Sequence, residues 1–262
     1  MIRKAIRTAQ NYAPWLRETK NIVYHQVRQT LGLVHDPDFR FIARLPVRDD
    51  DLFIDVGSNR GQSILSMRRL RPGAAIVSFE PDPAMFRWLQ DRFAHQPRLR
   101  LINVGLGDME GSQVLHTPSY RGFAYDGLAT FSRDTATAYL SSKTLFGFDP
   151  ARVTISEQVC LTRRLDAFNM KPTLMKIDVE GCEHEVLGGA LETLRACSPV
   201  LLIERFYDNP AVAELLQSLG YVEVRPTGAS FEIGVTNREN MICMTPATLA
   251  TIQAAAEPGA AT

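Results

Sequence analysis

Two stretches of this chain carry residues whose types and spacing can do chemistry. The first is Lys176-Ile177-Asp178-Val179-Glu180-Gly181-Cys182-Glu183-His184. Asp178 stands where an apolar run of strand type ends, and Glu180, Glu183 and His184 follow closely. Each could accept a proton as a general base, or Asp178 and Glu180 could together hold a hard divalent cation through oxygen. For His184 taken alone, a helix-surface histidine is the simpler reading. The second stretch is Asp55-Val56-Gly57-Ser58-Asn59-Arg60-Gly61. There an apolar strand pattern ends at an acid, two glycines follow, and a helical pattern opens at Gln62. Glycines allow positive φ and close backbone approach, and helix-start amides point outward toward a ligand's polar end. The loop reads as a nucleotide-type cofactor site above a first parallel strand.

Gly57 and Gly61 lack the third glycine of the G-x-G-x-x-G dinucleotide spacing, which argues against a nicotinamide-dependent oxidoreductase. Glu80 lies about 20 residues beyond the loop, where an acid that binds ribose hydroxyls is expected. Asp55, Glu80, Asp178 and Glu204 all fall at ends of apolar runs. Ligands of open α/β sheets bind outside the carboxyl ends of the strands, and a buried acid is costly unless it is paired. Four such acids mark one rim.

The elements that must position these groups follow from the patterning. From Leu52 onward, strand and helix patterns alternate, which implies a parallel sheet with helices on both faces. Strands are expected at Leu52–Val56, Ala75–Phe79, 99–104, 174–179 and 200–204, with an edge strand over 153–160. Helices are expected over 62–70, from Pro83 to about Phe93 with Asp82 as N-cap, over 183–195 and over 210–219. Residues 221–224 and 240–244 suit a final antiparallel pair. The chain then divides into a basic helical extension (1–48), a main domain (49–246) and a tail (247–262). Within the main domain the period is lost over 117–150, where aromatics alternate with small polar residues. That segment reads equally as a cover over a substrate or as an insertion with its own small cluster.

Composition narrows the class. The 262 residues carry zero formal net charge, so no global field attracts nucleic acid. Cys160, Cys182, Cys197 and Cys243 are dispersed, which suggests free thiols in a reducing, cytoplasmic setting rather than a zinc or disulfide framework. Residues 1–48 hold nine basic side chains against three acidic ones, interleaved with apolar residues. Such a helix either packs on the domain or, through residues 1–30, touches an anionic inner membrane surface peripherally. A non-catalytic membrane-surface protein with a vestigial cofactor fold is the reading from another class. The intact glycine loop and the ribose acid argue against it.

Taken together these residues resemble the FkbM-type family of class I S-adenosylmethionine (SAM)-dependent methyltransferases. The resemblance rests on the Asp55–Gly61 loop, Phe79-Glu80-Pro81, Gly107-Asp108 with Gly111, Leu165-Asp166, Lys176-Ile177-Asp178-Val179-Glu180-Gly181, Gly189-Ala190, Ile203-Glu204 and Leu219-Gly220-Tyr221. It implies a Rossmann-like, mostly parallel α/β sheet with an antiparallel C-terminal strand. It also implies SAM as cofactor and O-methylation of a hydroxyl on a sugar, glycolipid or glycan, or natural product. By this resemblance Asp55, Gly57, Asn59, Gly61, Glu80 and Asp108 form the cofactor site. Gly57, Asn59 and Gly61 would hold the methionine part, Glu80 the ribose and Asp108 the adenine amino group. Asp178, with Glu180 and His184, would face the methyl group and the acceptor.

Overall fold

The structure is a computed structural model that describes residues 2–12, 33–205, 209–228, 230–235 and 239–256. It opens with a helix, Ile2–Gln10, and a 3-10 helix, Pro37–Arg44, whose N-cap is Asp36. Residues 13–32, which carry much of the expected basic extension, lie outside the described residues. Then come β1 (Leu52–Val56), a helix (Gln62–Leu70), β2 (Ala75–Phe79), a helix (Pro83–Phe93) and β3 (Leu99–Ile102). Asp82 caps the second of these helices by accepting from Ala84 N, and Pro83 occupies its first turn. Next are β4 (Gly105–Leu106), β5 (Gly111–Tyr120), β6 (Phe123–Ala124), a short helix (Arg133–Ala138) and β7 (Val153–Arg163). The chain continues through β8 (Leu174–Ile177), two short helices (Glu183–Gly188 and Leu191–Cys197), β9 (Val200–Glu204) and a helix (Pro210–Ser218). It ends with β10 (Val222–Thr227), β11 (Ser230–Ile233), β12 (Asn240–Met244) and a helix (Pro246–Ala256).

The main sheet has the order β11-β10-β12-β9-β8-β1-β2-β3. Neighbours from β3 through β9 pair in parallel, whereas β12 lies antiparallel to both β9 and β10. This is the Rossmann-like, mostly parallel sheet expected, with β11 as an extra antiparallel edge strand. Side-chain alternation sends Ile54, Val56, Met175, Ile177, Leu201 and Ile203 into one apolar core. Phe53, Ile76, Leu174, Val200 and Leu202 enter another, under Phe39, Phe41, Ile42 and the C-terminal helix residues Leu249 and Ile252. The two cores lie on opposite faces, as a two-residue period requires. Strand order reverses between β1 and β8, so a crevice opens beyond their carboxyl ends.

Two sequence expectations are refined. The stretch over 153–160 is paired on one side only, but it belongs to a second sheet and not to the main one. It runs to Arg163 in the order β4-β7-β5-β6, paired with β5 from Gly111↔Thr162 to Tyr120↔Val153 and with β4 only at Thr162 and Arg163. Much of 117–150 is therefore ordered against that sheet. Tyr120, Phe123, Tyr125, Leu140 and Leu145 form its own apolar cluster. The single helix expected over 183–195 is broken at Gly189-Ala190. A Cβ on Gly189 would lie 1.9 Å from the Gly107 carbonyl oxygen, so the chain passes there at backbone contact. Asp166 then caps the second half, accepting from Glu192 N, Thr193 N and Thr193 Oγ1. Gly189 has an ordinary helical φ, so the penalty for a side chain is purely steric. Gly189→Ala should destabilise the protein by about 1–3 kcal/mol, the usual cost of overpacking, as measured by urea unfolding.

Candidate active site

At the crevice lies a cavity of about 290 Å³. One wall is the loop after β1. Gly57 N and Ser58 N both donate to Phe79 O, and Ser58 Oγ bonds Phe79 O and Ser78 Oγ. Ser78 Oγ in turn donates to Asp55 Oδ2 at 2.8 Å. Gly57 is left-handed (φ +82°), and a Cβ on it would sit 1.8 Å from the Asp178 carbonyl oxygen. The loop is thus pressed onto the end of β8.

Glu80 follows β2 in a buried position on the same cavity. Asn59 N donates to its Oε2 at 2.7 Å and Asp82 N to its Oε1 at 2.9 Å. Burial pushes its carboxyl up to about 8, although the two amides oppose the shift. Below Glu80, Asn103 Nδ2 donates to Glu80 O and Pro81 O. Val104, Leu106, Leu115 and Phe131 give this part of the cavity an apolar lining.

The floor is a charge cluster. Lys176 is 4% exposed, and its ammonium is in contact with Asp178. The carboxylates of Asp178, Glu180 and Glu204 can bring one oxygen each within 4.8 Å of one another. Tyr139, from the 117–150 segment, donates its hydroxyl to Glu180. Glu180 and Gly181 are both left-handed (φ +54° and +94°), and this turn folds Glu180 back toward Asp178. Burial alone would lower Lys176 and raise Asp178. Their mutual attraction outweighs it, holding Lys176 above and Asp178 below their ordinary values. Burial, reinforced by the Asp178 charge, lifts Glu180 to about 8 and Glu204 to about 10.

The expected residues separate into two groups. Gly57, Asn59, Glu80, Asp178 and Glu180 line the cavity. Asp55, Gly61, Asp108 and His184 do not. Asp55 is wholly buried and held by Ser78, a strand-end acid that braces the loop. Gly61 starts the helix, and a Cβ there would strike the Phe93 ring at 2.6 Å, so its smallness serves packing. Asp108 is exposed on a turn beyond β4, outside the cavity wall. His184 lies half-buried on the helix outside the cavity. Sequence reasoning missed Lys176, Tyr139 and the Arg60–Asp126 pair as site residues. Lys176 did carry a signal, as the lone charge within an otherwise apolar strand.

A Rossmann-like sheet with a glycine loop, a β2-end acid and a polar β8 end, all on one crevice, defines a nucleotide-cofactor enzyme of the class I methyltransferase type. The sequence pattern of the Methyltransferase FkbM domain matches residues 55–223, and the chain belongs to that family. It is 29% identical over 210 residues to the 2-O-methyltransferase NoeI of Sinorhizobium fredii, covering 76% of this chain and 84% of that protein. It is 30% identical over 160 residues to Methyltransferase 1 of Beauveria bassiana, covering 55% of this chain and 60% of that one. Among solved structures, the methyltransferase FkbM from Methylobacillus flagellatus KT is 16% identical with a TM-score of 0.48. That likeness covers 78% of this chain and 47% of the solved chain, so this chain spans under half of that structure's length. The family makes SAM the cofactor. Among the described residues, no helix is long and apolar enough to cross a membrane.

The raised carboxyls carry a stability signature. Folded Glu80, Glu180 and Glu204 bind protons that the unfolded chain has already released above about pH 5, so stability must fall as pH climbs toward 8 and beyond. The lowered Asp178 acts in the opposite sense, but only in the acid range below that window. Urea unfolding of the ligand-free protein should show this decline. Glu204→Gln, which mimics the protonated form, should make it shallower. An equally steep decline in the variant would mean that Glu204 is not among the titrating groups.

Proposed function

We propose that this chain transfers a methyl group from SAM to a hydroxyl of a sugar, glycolipid or natural product. The observation that carries the reading is the meeting of Asp178, Glu180 and Glu204 beside Lys176 on the cavity that Gly57, Asn59 and Glu80 also line. The name of the Sinorhizobium relative, a 2-O-methyltransferase, supports oxygen as the accepting atom.

The residues fit the cofactor. Glu80 offers a carboxyl group fixed by two amides, with which a ribose diol can exchange hydrogen bonds. Val104, Leu106 and Phe131 suit a flat base, and the acidic floor suits a cation. SAM would supply an electrophilic methyl on a positively charged sulfur. The chain's own work is to align the acceptor oxygen and to take its proton. Asp178, kept ionised by Lys176, is a weak proton acceptor. Glu180, at about 8 and free to fall when a cation lies in the cavity, is better matched to neutral pH. In this reading Glu180 takes the proton, Tyr139 orients it, and Asp178 with Lys176 and Glu204 fixes the field around it. The carboxylate trio could alternatively hold a divalent cation. The Lys176 ammonium already supplies positive charge against Asp178, so the proton route is preferred.

Incubation with labelled SAM and host extracts, followed by mass spectrometry of the labelled product, identifies the acceptor. With that acceptor, Glu180→Gln should lower turnover by about two to four orders of magnitude, the worth of general-base help, and Asp178→Asn, which removes only the fixed charge beside it, should lower turnover by less. Their SAM affinity, measured by calorimetry, should stay within a few fold. Glu80→Gln should instead weaken SAM by up to about tenfold, the worth of a hydrogen bond to a neutral carboxyl. Chelators should leave turnover unchanged. Binding of NAD without SAM would move the protein to the oxidoreductases.

A second, peripheral activity is proposed for residues 1–30, whose basic side chains suit anionic lipid at about 1 kcal/mol each near the surface. Neutralising Arg17, Lys20 and Arg28 should then reduce co-sedimentation with anionic vesicles, and equal sedimentation would remove the idea.

A further inference from the structure

The glycine loop carries a charge that neither the cofactor contacts nor the proton transfer uses. Arg60 is 3% exposed. Its guanidinium lies 5.4 Å from the centre of the Trp88 ring and 2.5 Å from Asp126 Oδ2. Burying an arginine in a cofactor loop is costly unless a partner compensates it. The partner here comes from another layer of the molecule, 66 residues along the chain. Asp126 begins a 3-10 turn, and Asp126, Gly127, Ala129, Thr130 and Phe131 all line the cavity.

That turn is held against the cofactor side at each point where it passes. A Cβ on Gly127 would come 3.6 Å from Asn59 Nδ2. A Cβ on Gly105 would meet the Phe131 ring at 2.7 Å, so ring and strand are in backbone contact where the apolar part of the cavity begins. Thr130 Oγ1 bonds Cys182 Sγ at 3.6 Å. On its outer side the same segment is braced by the first helix. Tyr125 OH donates to Asn11 Oδ1 at 2.8 Å, and Phe146 N donates to Thr8 Oγ1 at 3.0 Å. The second sheet therefore supplies one wall of the cofactor cavity, and the Arg60–Asp126 pair joins that wall to the glycine loop.

We infer that Arg60 is a positioning residue for the cofactor: through Asp126 it seats the wall 126–131 on the glycine loop, and tight cofactor binding requires the wall to be seated. The inference rests on the reading of this cavity as the SAM site. A wall seated only a tenth of the time would weaken apparent affinity about tenfold, because only the seated form binds.

The test uses the full chain and SAM itself. Asp126→Asn strands the buried Arg60 charge, so it confuses fold with function. The double variant Arg60→Gln with Asp126→Asn removes both charges of the pair together. It should unfold near the wild-type temperature. Its SAM affinity should nevertheless fall about tenfold or more, with faster SAM dissociation and faster hydrogen exchange at 126–131. Arg225→Gln breaks an exposed pair at the far end of the sheet and should change none of these. If the double variant does not fold, Arg60→Lys decides the matter, since it keeps the charge but not the planar fork and should loosen SAM in the same way. A folded variant with wild-type SAM affinity, dissociation rate and exchange overturns the inference and leaves the pair a structural one. Absence of SAM binding in the wild-type protein overturns the cavity reading itself, a result distinct from any effect confined to the variants.

Discussion

The site depends on one contact between two backbones. Gly57 passes so close to the carbonyl of Asp178 that a methyl group could not fit between them. Asp178 N also donates to Val56 O at 3.1 Å, extending the β1–β8 ladder one residue past the strands. The two central strands thus end locked together at the point where strand order reverses. The cofactor loop and the acid-rich turn share that lock. Moving one displaces the other, so alignment of a cofactor with an acceptor is built into the backbone rather than left to side chains. The contact explains why glycine is needed at position 57. Position 61, whose role was expected to be similar, needs glycine for a different reason, which is the Phe93 ring.

That lock forces an electrostatic problem, and Lys176 answers it. Closing the strand ends gathers Asp55, Asp178, Glu180 and Glu204 into a space with little water, where unpaired carboxylates would repel one another. One ammonium inside the apolar strand compensates part of the charge. Its attraction to Asp178 and Asp55 keeps it protonated despite burial. One cation cannot balance all the acids, so Glu180 and Glu204 hold on to protons. The cluster therefore has acids of opposite character side by side: Lys176 holds Asp178 below its ordinary value, while burial and the Asp178 charge raise Glu180 to about 8 and Glu204 to about 10. Pairs of carboxyls driven apart in this way are how a site obtains a fixed charge and a proton acceptor from the same residue types.

The sequence was legible where structure is local. β1, β2 and the helices Gln62–Leu70 and Pro83–Phe93 have the bounds their patterns announce, because an apolar period and a cap sit within a few residues of each other. The second sheet was hidden for the opposite reason. β5 finds its partner about forty residues away, Val114 on β5 and Val159 and Leu161 on β7 are exposed, and the alternation that identifies a half-buried strand is blurred. The break at Gly189 carried a local signal, the Gly188-Gly189 pair, but its cause, the carbonyl of Gly107, lies far along the chain. In the site, acids at strand ends were visible as a class. Which of them face the cavity was not: Asp55 and Glu80 each follow an apolar run, and only the turn after each strand decides between buried brace and cavity wall.

The second sheet is attached to the first in a way that bears on what the cavity can do. β4 is two residues long and follows β3 after a turn, so the wall-bearing sheet hangs from the strand whose end forms the apolar part of the cavity. Gly107 N then donates to Arg163 O, and Asp166 N to Gly189 O, tying the far end of β7 to the helix pair behind the acid cluster. The sheet is thus fixed at its β4 end and along its β7 exit. The tip that bears Asp126, Phe131 and Tyr139 meets the cavity through the Arg60–Asp126 and Tyr139–Glu180 pairs and through the Phe131 ring against Gly105. The backbone therefore fixes the cofactor floor, while the wall facing it is held largely by side-chain contacts to the first sheet and to the N-terminal helix. Such a division suits a cavity that must admit a large cofactor, close around it, and reopen after a single transfer.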